Sequence, residues 1–128
     1  MKLGYVILYV SDINATVEFY QHAFNIEARF IHETGQYAEM ETGLTALAFA
    51  LEELTSTHGM FQPNRLEQKP AGAEIAFITD NVQQSYDQAI EAGATAVLPP
   101  ERKPWGQTIS YVRDNNGFLV EICSKVTP

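Results

Sequence analysis

The carboxylate of Glu121 stands in the middle of a predicted strand near the end of the chain. Phe118, Val120 and Ile122 alternate with it and follow the turn-forming run 114–117. If the three apolar residues cover a core, Glu121 lies on the opposite face of the strand. A carboxylate in that place is either solvated or able to bind a cation or transfer a proton.

An internal repeat predicts that Tyr5 and Glu74 occupy equivalent positions near Glu121. Each half of the chain reads strand-helix-strand-strand-strand, and a spacing of 69 residues relates the apolar stripes of the two helices. The same spacing relates Glu74 to Tyr5. Strand alternation then predicts a face with two carboxylates, two tyrosine hydroxyls and an apolar wall, made by Tyr5, Ile7, Tyr9, Glu74, Ala76, Ile78, Leu119 and Glu121.

Capping and turn residues delimit the elements that position this face. The predicted helices start after Ser11–Asp12 and Asp80–Asn81, and they end at Asn25 and Gly93. Strands are expected at residues 3–10, 27–33, 36–41, 45–51, 73–79, 95–98, 107–113 and 118–124.

Two segments lack this periodicity. Residues 52–72 are interpreted as a linker rather than a functional lid, because the strand-helix pattern starts again after them. Pro99, Pro100 and Pro104 are expected to keep the segment after residue 98 out of regular structure. The predicted organisation is one domain, with module one at about 1–51, the linker at about 52–72 and module two at about 73–128.

The predicted fold class is α+β, built from two tandem βαβββ modules. Each helix covers one face of its own sheet, so the other face must meet something else. We expect a cupped, mostly antiparallel sheet with the helices on its outer face and a ligand on the uncovered concave face.

Composition excludes several classes of partner. The net charge of −8, without a basic run, argues against nucleic acid and against an anionic membrane surface. No apolar run approaches the roughly 20 residues of a membrane span, and no signal-peptide pattern precedes the first strand, so a cytoplasmic protein is expected. Cys123 is the one cysteine, which excludes an intrachain disulfide and leaves it as a nucleophile or, more commonly at a strand end, a packing residue.

Several segments of the chain resemble the vicinal oxygen chelate superfamily of glyoxalases, bleomycin-resistance proteins, fosfomycin-resistance enzymes and extradiol dioxygenases. The resemblance rests on YVILYVSD at 5–12, VEFY at 17–20, EIAF at 74–77, WGQ at 105–107 and DNNGFLVEI at 114–122. It covers nearly the whole chain and implies the two-module fold and a homodimer. It does not choose between isomerases, transferases, dioxygenases and pure binding proteins.

For enzymes of this superfamily, the resemblance implies a divalent metal held by the first and fourth strands of each module. The matching positions are Tyr5, Glu74, Glu121 and Ala48, with Ala46 or Ala50 as the fourth if the register slips by two. Metal-binding relatives usually carry histidine at the first-strand positions, and Ala48 offers no ligand atom. No transition metal or other cofactor is therefore expected, while Glu74 and Glu121 are the candidate ligands for a hard divalent cation and the best candidates for catalytic groups.

None of the three histidines falls on a matched position. His22 lies off the apolar stripe of the first helix and is expected to be exposed. His32 is predicted within a strand, and His58 lies in the long segment without periodicity. A histidine ligand from that segment would be unusual for the superfamily.

Two carboxylates on one face repel each other unless something offsets their charge. A shared proton, a bound cation or a basic side chain would do so, and the basic candidates are Arg29, Arg65, Arg102 and Arg113. The alternative is that Glu121 is a remnant of the family pattern and that Glu74 is merely solvated. Trp105 is expected either at the rim of the cleft, where its ring stacks on a planar or cationic ligand, or packed over the sheet edge.

Three functions remain open. The first is a small-molecule binding protein of the bleomycin-resistance type, which holds a cationic or aromatic ligand in the cleft without a transition metal. The second is a metal-dependent lyase, isomerase or dioxygenase of the glyoxalase type, with Glu74, Glu121 and waters or a loop histidine around the metal. The third is an assembly module with a vestigial cleft. Binding is the first choice, because the histidines are missing from the matched positions.

Overall fold

The computed structural model describes residues 1–54 and 56–127. The chain divides into two compact units, Met1–Asn64 and Arg65–Pro128. Their boundary falls inside the segment 52–72 that the sequence assigns to a linker. Thr55 of that segment and Pro128 at the end of module two lie outside the described residues.

Both units have the same element order and the same sheet topology. The first contains β1 (Tyr5–Val10), α1 (Ile13–Phe24), β2 (Ala28–Ile31), β3 (Tyr37–Met40) and β4 (Ala46–Leu51). The second contains β5 (Glu74–Ile78), α2 (Val82–Glu91), β6 (Thr95–Arg102), β7 (Thr108–Arg113) and β8 (Leu119–Cys123). The strand orders are β1-β4-β3-β2 and β5-β8-β7-β6, with the first pair of each sheet parallel and the others antiparallel. The prediction of an α+β fold with two βαβββ modules is confirmed.

The predicted capping residues begin and end the helices. Asp12 accepts a hydrogen bond from the Ala15 amide at 2.9 Å, and Asn25 ends α1 in the left-handed conformation. Asn81 likewise accepts from the Gln84 amide at 3.0 Å at the start of α2. Neither helix is long and apolar enough to cross a bilayer within the part of the chain that the structure describes.

Each helix packs on one face of its own sheet and closes a small core. α1 contacts β3 and β4, and α2 contacts β6, β7 and β8. In the first unit the fully buried Tyr20 ring lies 4.8 Å from the ring of Phe49. In the second unit Val112 and Val120 are fully buried, and Ile122 is nearly so. Because each helix covers one face of its own sheet, it leaves only the opposite face for a ligand or a partner.

Predicted and observed strand ends differ at several positions, and two of these differences change the placement of named residues. β6 continues to Arg102 through Pro99 and Pro100 instead of ending at residue 98. β6 is an edge strand with register irregularities, so prolines that lack an amide hydrogen are tolerated there. His32 lies just after β2 rather than within it, and its amide donates to the Tyr37 carbonyl at the start of β3.

Candidate functional site

Strand pairing in the second unit brings three functional side chains to neighbouring positions. Ala76 of β5 pairs with Glu121 of β8, and Glu121 pairs with Tyr111 of β7. Glu74 lies two residues before Ala76, so it points to the same face. We call Glu74, Glu121 and Tyr111 the acidic cluster.

Tyr111 is a neutral hydrogen-bond donor to Glu121. Its hydroxyl donates to Oε1 of Glu121 at 3.0 Å. Burial raises the pKa of Tyr111 to about 12, and the hydrogen bond and negative charge of Glu121 act in the same direction. The phenol therefore keeps its proton at neutral pH and orients the carboxylate beside it.

Glu74 is exposed as a residue, but its carboxyl lies beside that of Glu121. Loss of hydration raises the pKa of Glu74, and the hydrogen bond and charge of Glu121 raise it further. Among the described residues of the second unit, no lysine, arginine or histidine forms an ion pair with either carboxylate. Of the basic candidates that the sequence left open, none in the described part of the second unit pairs with the acidic cluster.

Arg113 of the second unit donates its hydrogen bonds to backbone carbonyls and not to the acidic cluster. Its Nε donates to the Gly117 carbonyl at 3.0 Å and its Nη1 to the Leu66 carbonyl at 3.0 Å. Its Nη2 donates to the carbonyls of Arg65 and Gln68 at 2.9 and 2.6 Å. Arg113 therefore fastens the segment before β5 to the β7–β8 turn and does not neutralise the acidic cluster.

Cys123 is a packing residue and not an activated nucleophile. It is buried, and its thiol donates to the Phe77 carbonyl at 3.6 Å. Burial raises the pKa of Cys123 to about 11, with further raising contributions from Glu121. The thiolate needed for attack is scarce at neutral pH.

Trp105 lies in the turn between β6 and β7 and is 58% exposed. Both placements predicted for this residue, at the rim of the cleft and packed over the sheet edge, stay predictions. Its indole nitrogen is nevertheless held, since it donates to Oε1 of Gln107 at 2.9 Å.

The first unit presents a corresponding face with different side chains. Ile7 pairs with Ala48, and Ala48 pairs with Glu39, just as Ala76, Glu121 and Tyr111 pair in the second unit. Ala48 is therefore the positional counterpart of Glu121, and it is fully buried. Tyr5 and Ile7 on the same face are exposed, whereas Tyr9 is half-buried.

The sequence did not predict the charged network on and next to β2 and β3, which consists of Arg29, Tyr37, Glu39 and Glu41. The Tyr37 hydroxyl donates to Glu39 at 2.8 Å, and the Arg29 guanidinium lies 3.5 Å from the same carboxylate. Burial first, and then Glu39, raise the pKa of Tyr37 to about 12. Arg29 also donates to both carboxylate oxygens of Glu41 at 2.9 Å, so its charge is taken up within the first unit. The alternation of Tyr37 and Glu39 was the available signal, since it puts both on one strand face.

Part of the segment assigned as a linker folds back on the first unit. The Phe61 ring stacks on the Tyr9 ring with centroids 4.1 Å apart. The exposed His58 ring nitrogen lies 3.4 Å from the Glu52 carbonyl oxygen. His22 and His32 are also exposed.

The donor set does not fit a transition-metal site. Within residues 1–54 and 56–127, no three histidine, cysteine, aspartate or glutamate side chains converge so that they could hold a metal ion. Two carboxylates and a neutral phenol remain in the second unit, which lacks the imidazole or thiolate ligands such metals prefer.

Replacing Glu121 by glutamine is expected to change how stability depends on pH. A raised pKa at Glu74 means that the unfolded chain loses this proton first, so folding stability falls as pH rises from about 4 through the folded-state pKa. Glu121→Gln removes the charge that adds to this shift. Urea unfolding from pH 4 to pH 7 should show a smaller loss of stability for the variant than for the wild type.

The matched control is Glu91→Gln at an exposed position on α2. It should leave the pH dependence of the wild type intact. An identical pH dependence for Glu121→Gln and the wild type would contradict the coupling between the two carboxylates.

Comparisons with known proteins give relatives of similar length. An uncharacterized protein of Bacillus subtilis, YraH, is 28% identical over 129 residues, which cover 95% of this chain and 97% of that protein. A virulence protein of Salmonella typhimurium is 25% identical over 131 residues, which cover 98% and 85% of the two chains. A glyoxalase-related enzyme from Fulvimarina pelagi shares the fold, with a TM-score of 0.82 at 21% identity over 98% of this chain and 88% of that one.

A family model matches almost the whole chain. It matches residues 2–122 and describes the Glyoxalase/Bleomycin resistance protein/Dioxygenase superfamily. The match includes β1 with Tyr5, β5 with Glu74 and β8 as far as Ile122, which leaves out only its last residue, Cys123. The chain belongs to this superfamily.

Proposed function

We propose that this protein binds a small cationic organic molecule on the sheet face that carries the acidic cluster. It would do so as the bleomycin-resistance members of its superfamily act, without a transition metal. The observation that carries the proposal is the placement of Glu74 beside Glu121 with no ion-pair partner among the described residues of the second unit. A ligand cation would offset the repulsion between the two carboxylates.

The surrounding groups favour binding over catalysis. Tyr111 keeps its proton at neutral pH, and Cys123 is buried with a raised pKa, so neither is an activated nucleophile or base. Ala48 offers no donor atom at the position equivalent to Glu121. The exposed ring of Trp105 adds an aromatic surface in the same unit, which suits a flat cation. The cytoplasmic location and the homodimer stay predictions of the sequence.

Calorimetric titration with two monocations tests the proposal. Tetraethylammonium is a compact, non-planar cation, and 9-aminoacridine is a flat one that is protonated at pH 7. We expect saturable binding of at least one of them, with affinity about tenfold lower in Glu121→Gln because one charge interaction near the surface is lost. Affinity should increase between pH 5 and pH 7, because the cation favours the ionised form of Glu74.

Glu91→Gln is the control for nonspecific charge effects, and it should bind as the wild type does. Absence of binding at millimolar cation, or equal affinity in Glu121→Gln and the wild type, would overturn the proposal. A separate titration with Mg²⁺ addresses the metal-dependent alternative, since Glu74 and Glu121 are oxygen donors. Stoichiometric Mg²⁺ binding that is lost in Glu121→Gln would favour that alternative instead.

A further inference from the structure

The turn formed by residues 65–68 directs three of its carbonyls at one side chain. The Arg65 carbonyl accepts from the Gln68 amide at 3.1 Å, which closes the turn. The carbonyls of Arg65, Leu66 and Gln68 also accept from the Arg113 guanidinium at 2.9, 3.0 and 2.6 Å. A planar guanidinium can reach several acceptors at once, so this convergence fixes the turn relative to β7.

Arg113 lies in the same cross-strand row as the first residue of β5. Arg113 pairs with Leu119 of β8, and Leu119 pairs with Glu74. In the next row on this face, Ala76 pairs with Glu121. The strand register therefore puts Glu74 diagonally beside Glu121, and it puts Arg113 at the level where β5 begins.

The connection from the turn to β5 is short and partly closed. Only residues 69–73 join the turn to Glu74. The ring of Pro70 restricts its φ, and the Ala73 amide donates to the Ala71 carbonyl at 2.8 Å. A displacement of the turn is therefore transmitted to the start of β5.

The first unit holds the start of its own edge strand by a different contact. The Thr45 hydroxyl donates to the Leu3 carbonyl at 2.9 Å, just before β1 begins. Phe118 occupies the equivalent position in the second unit, one residue before the partner of the first residue of the edge strand. A phenylalanine side chain donates no hydrogen bond. Since β5 also lies at the edge of its sheet, the contacts of Arg113 hold its start instead.

We infer that Arg113 is a positioning residue, which fastens the turn 65–68 and so holds Glu74 beside Glu121, where both carboxylates attract a ligand cation. This inference rests on the proposed function. Charge alone would give Arg113 the opposite role, because a guanidinium on the same sheet face repels a cation. The two roles therefore predict changes of affinity in opposite directions.

Calorimetric titration of Arg113→Met with tetraethylammonium and 9-aminoacridine separates the two roles. Positioning predicts that affinity falls about threefold to fivefold, which is less than in Glu121→Gln because Glu74 is displaced but not removed. Arg113→Lys guards against misfolding of Arg113→Met, since it keeps the charge but lacks the planar fork, and it should lose about twofold. A rise in affinity, or no change, in these variants would overturn the inference and leave the proposed function standing.

A double-mutant cycle shows whether Arg113 acts through Glu74. In a Glu74→Gln background, Arg113→Met should change the affinity by less than about 1.5-fold, because the group that it positions has lost its charge. Equal losses with and without Glu74→Gln would mean that Arg113 affects the site by another route, and they would contradict the inference.

Val112→Ala is the matched control for lost stability. Val112 is the neighbouring residue on β7, and its fully buried side chain lies on the opposite face of the sheet. Its replacement should lower the urea midpoint much as Arg113→Met does, but it should leave cation affinity within about twofold of the wild type. An equal loss of affinity in the two variants would show that destabilisation alone weakens binding, against the inference. If the wild type binds neither cation, both the proposed function and this inference are wrong.

Discussion

Gly117→Ala is expected to lower the free energy of unfolding by about 3 kcal/mol. Gly117 has a φ of 90°, which L side chains rarely adopt. A Cβ there would lie 2.7 Å from Nη2 of Arg113 and 3.0 Å from the carbonyl carbon and oxygen of Arg65. Backbone strain and overpacking therefore act together at this position. Urea denaturation of the variant and the wild type measures the loss.

Gly43→Ala separates the two causes. Gly43 has a nearly identical φ of 91°, but a Cβ there would meet nothing within 4 Å. We expect a loss of only about 1 kcal/mol, which is the cost of the backbone conformation alone. Equal losses in the two variants would mean that contacts around Gly117 contribute nothing.

Arg113→Met is expected to cost about 2–3 kcal/mol, because it removes a guanidinium that donates to four backbone carbonyls. Methionine keeps much of the aliphatic stem but donates no hydrogen bond. Arg113→Lys should recover only part of the loss, since an ammonium lacks the planar fork that reaches several acceptors at once. Chemical denaturation of the three proteins gives the ranking.

Arg102→Met is the matched control in the same unit. Arg102 is exposed, and within the described residues its guanidinium forms no hydrogen bond. Its replacement should change stability by less than about 0.5 kcal/mol. A loss as large as that of Arg113→Met would show that net charge, rather than the carbonyl contacts, explains the effect.

The turn before β8 shows what local sequence can predict. Asp114, Asn115, Asn116 and Gly117 predict a reversal, and the Asp114 carboxylate accepts from the amides of Asn116 and Phe118 at 2.8 and 2.9 Å. Each contact spans four residues or fewer. The same locality explains why Asp12 and Asn81 were found as helix caps.

The sequence also predicted on which face of its strand a side chain lies, but it did not predict that side chain's neighbours on adjacent strands. Alternation identified Glu121 as lying opposite Val120 and Ile122, which are buried. It did not indicate that Tyr111 would donate to Glu121 or that Glu39 would lie beside Ala48. Those pairs depend on the register between strands, which no single strand's pattern specifies. The predicted end of β6 was wrong for a similar reason. Prolines are tolerated in a strand only when it lies at an edge of the sheet, and the order of the strands decides which strand lies there.

The sequence by itself determined the two βαβββ modules, their helix caps and the face on which Glu74 and Glu121 lie, because these follow from periodicity and short-range hydrogen bonds. Only the tertiary structure decided which groups surround those carboxylates. It assigned Arg113 to backbone carbonyls, Arg29 to Glu39 and Glu41, and the Trp105 indole to Gln107. Such partners lie up to 48 residues apart in the chain, so their contacts arise from sheet pairing and loop packing rather than from any local pattern.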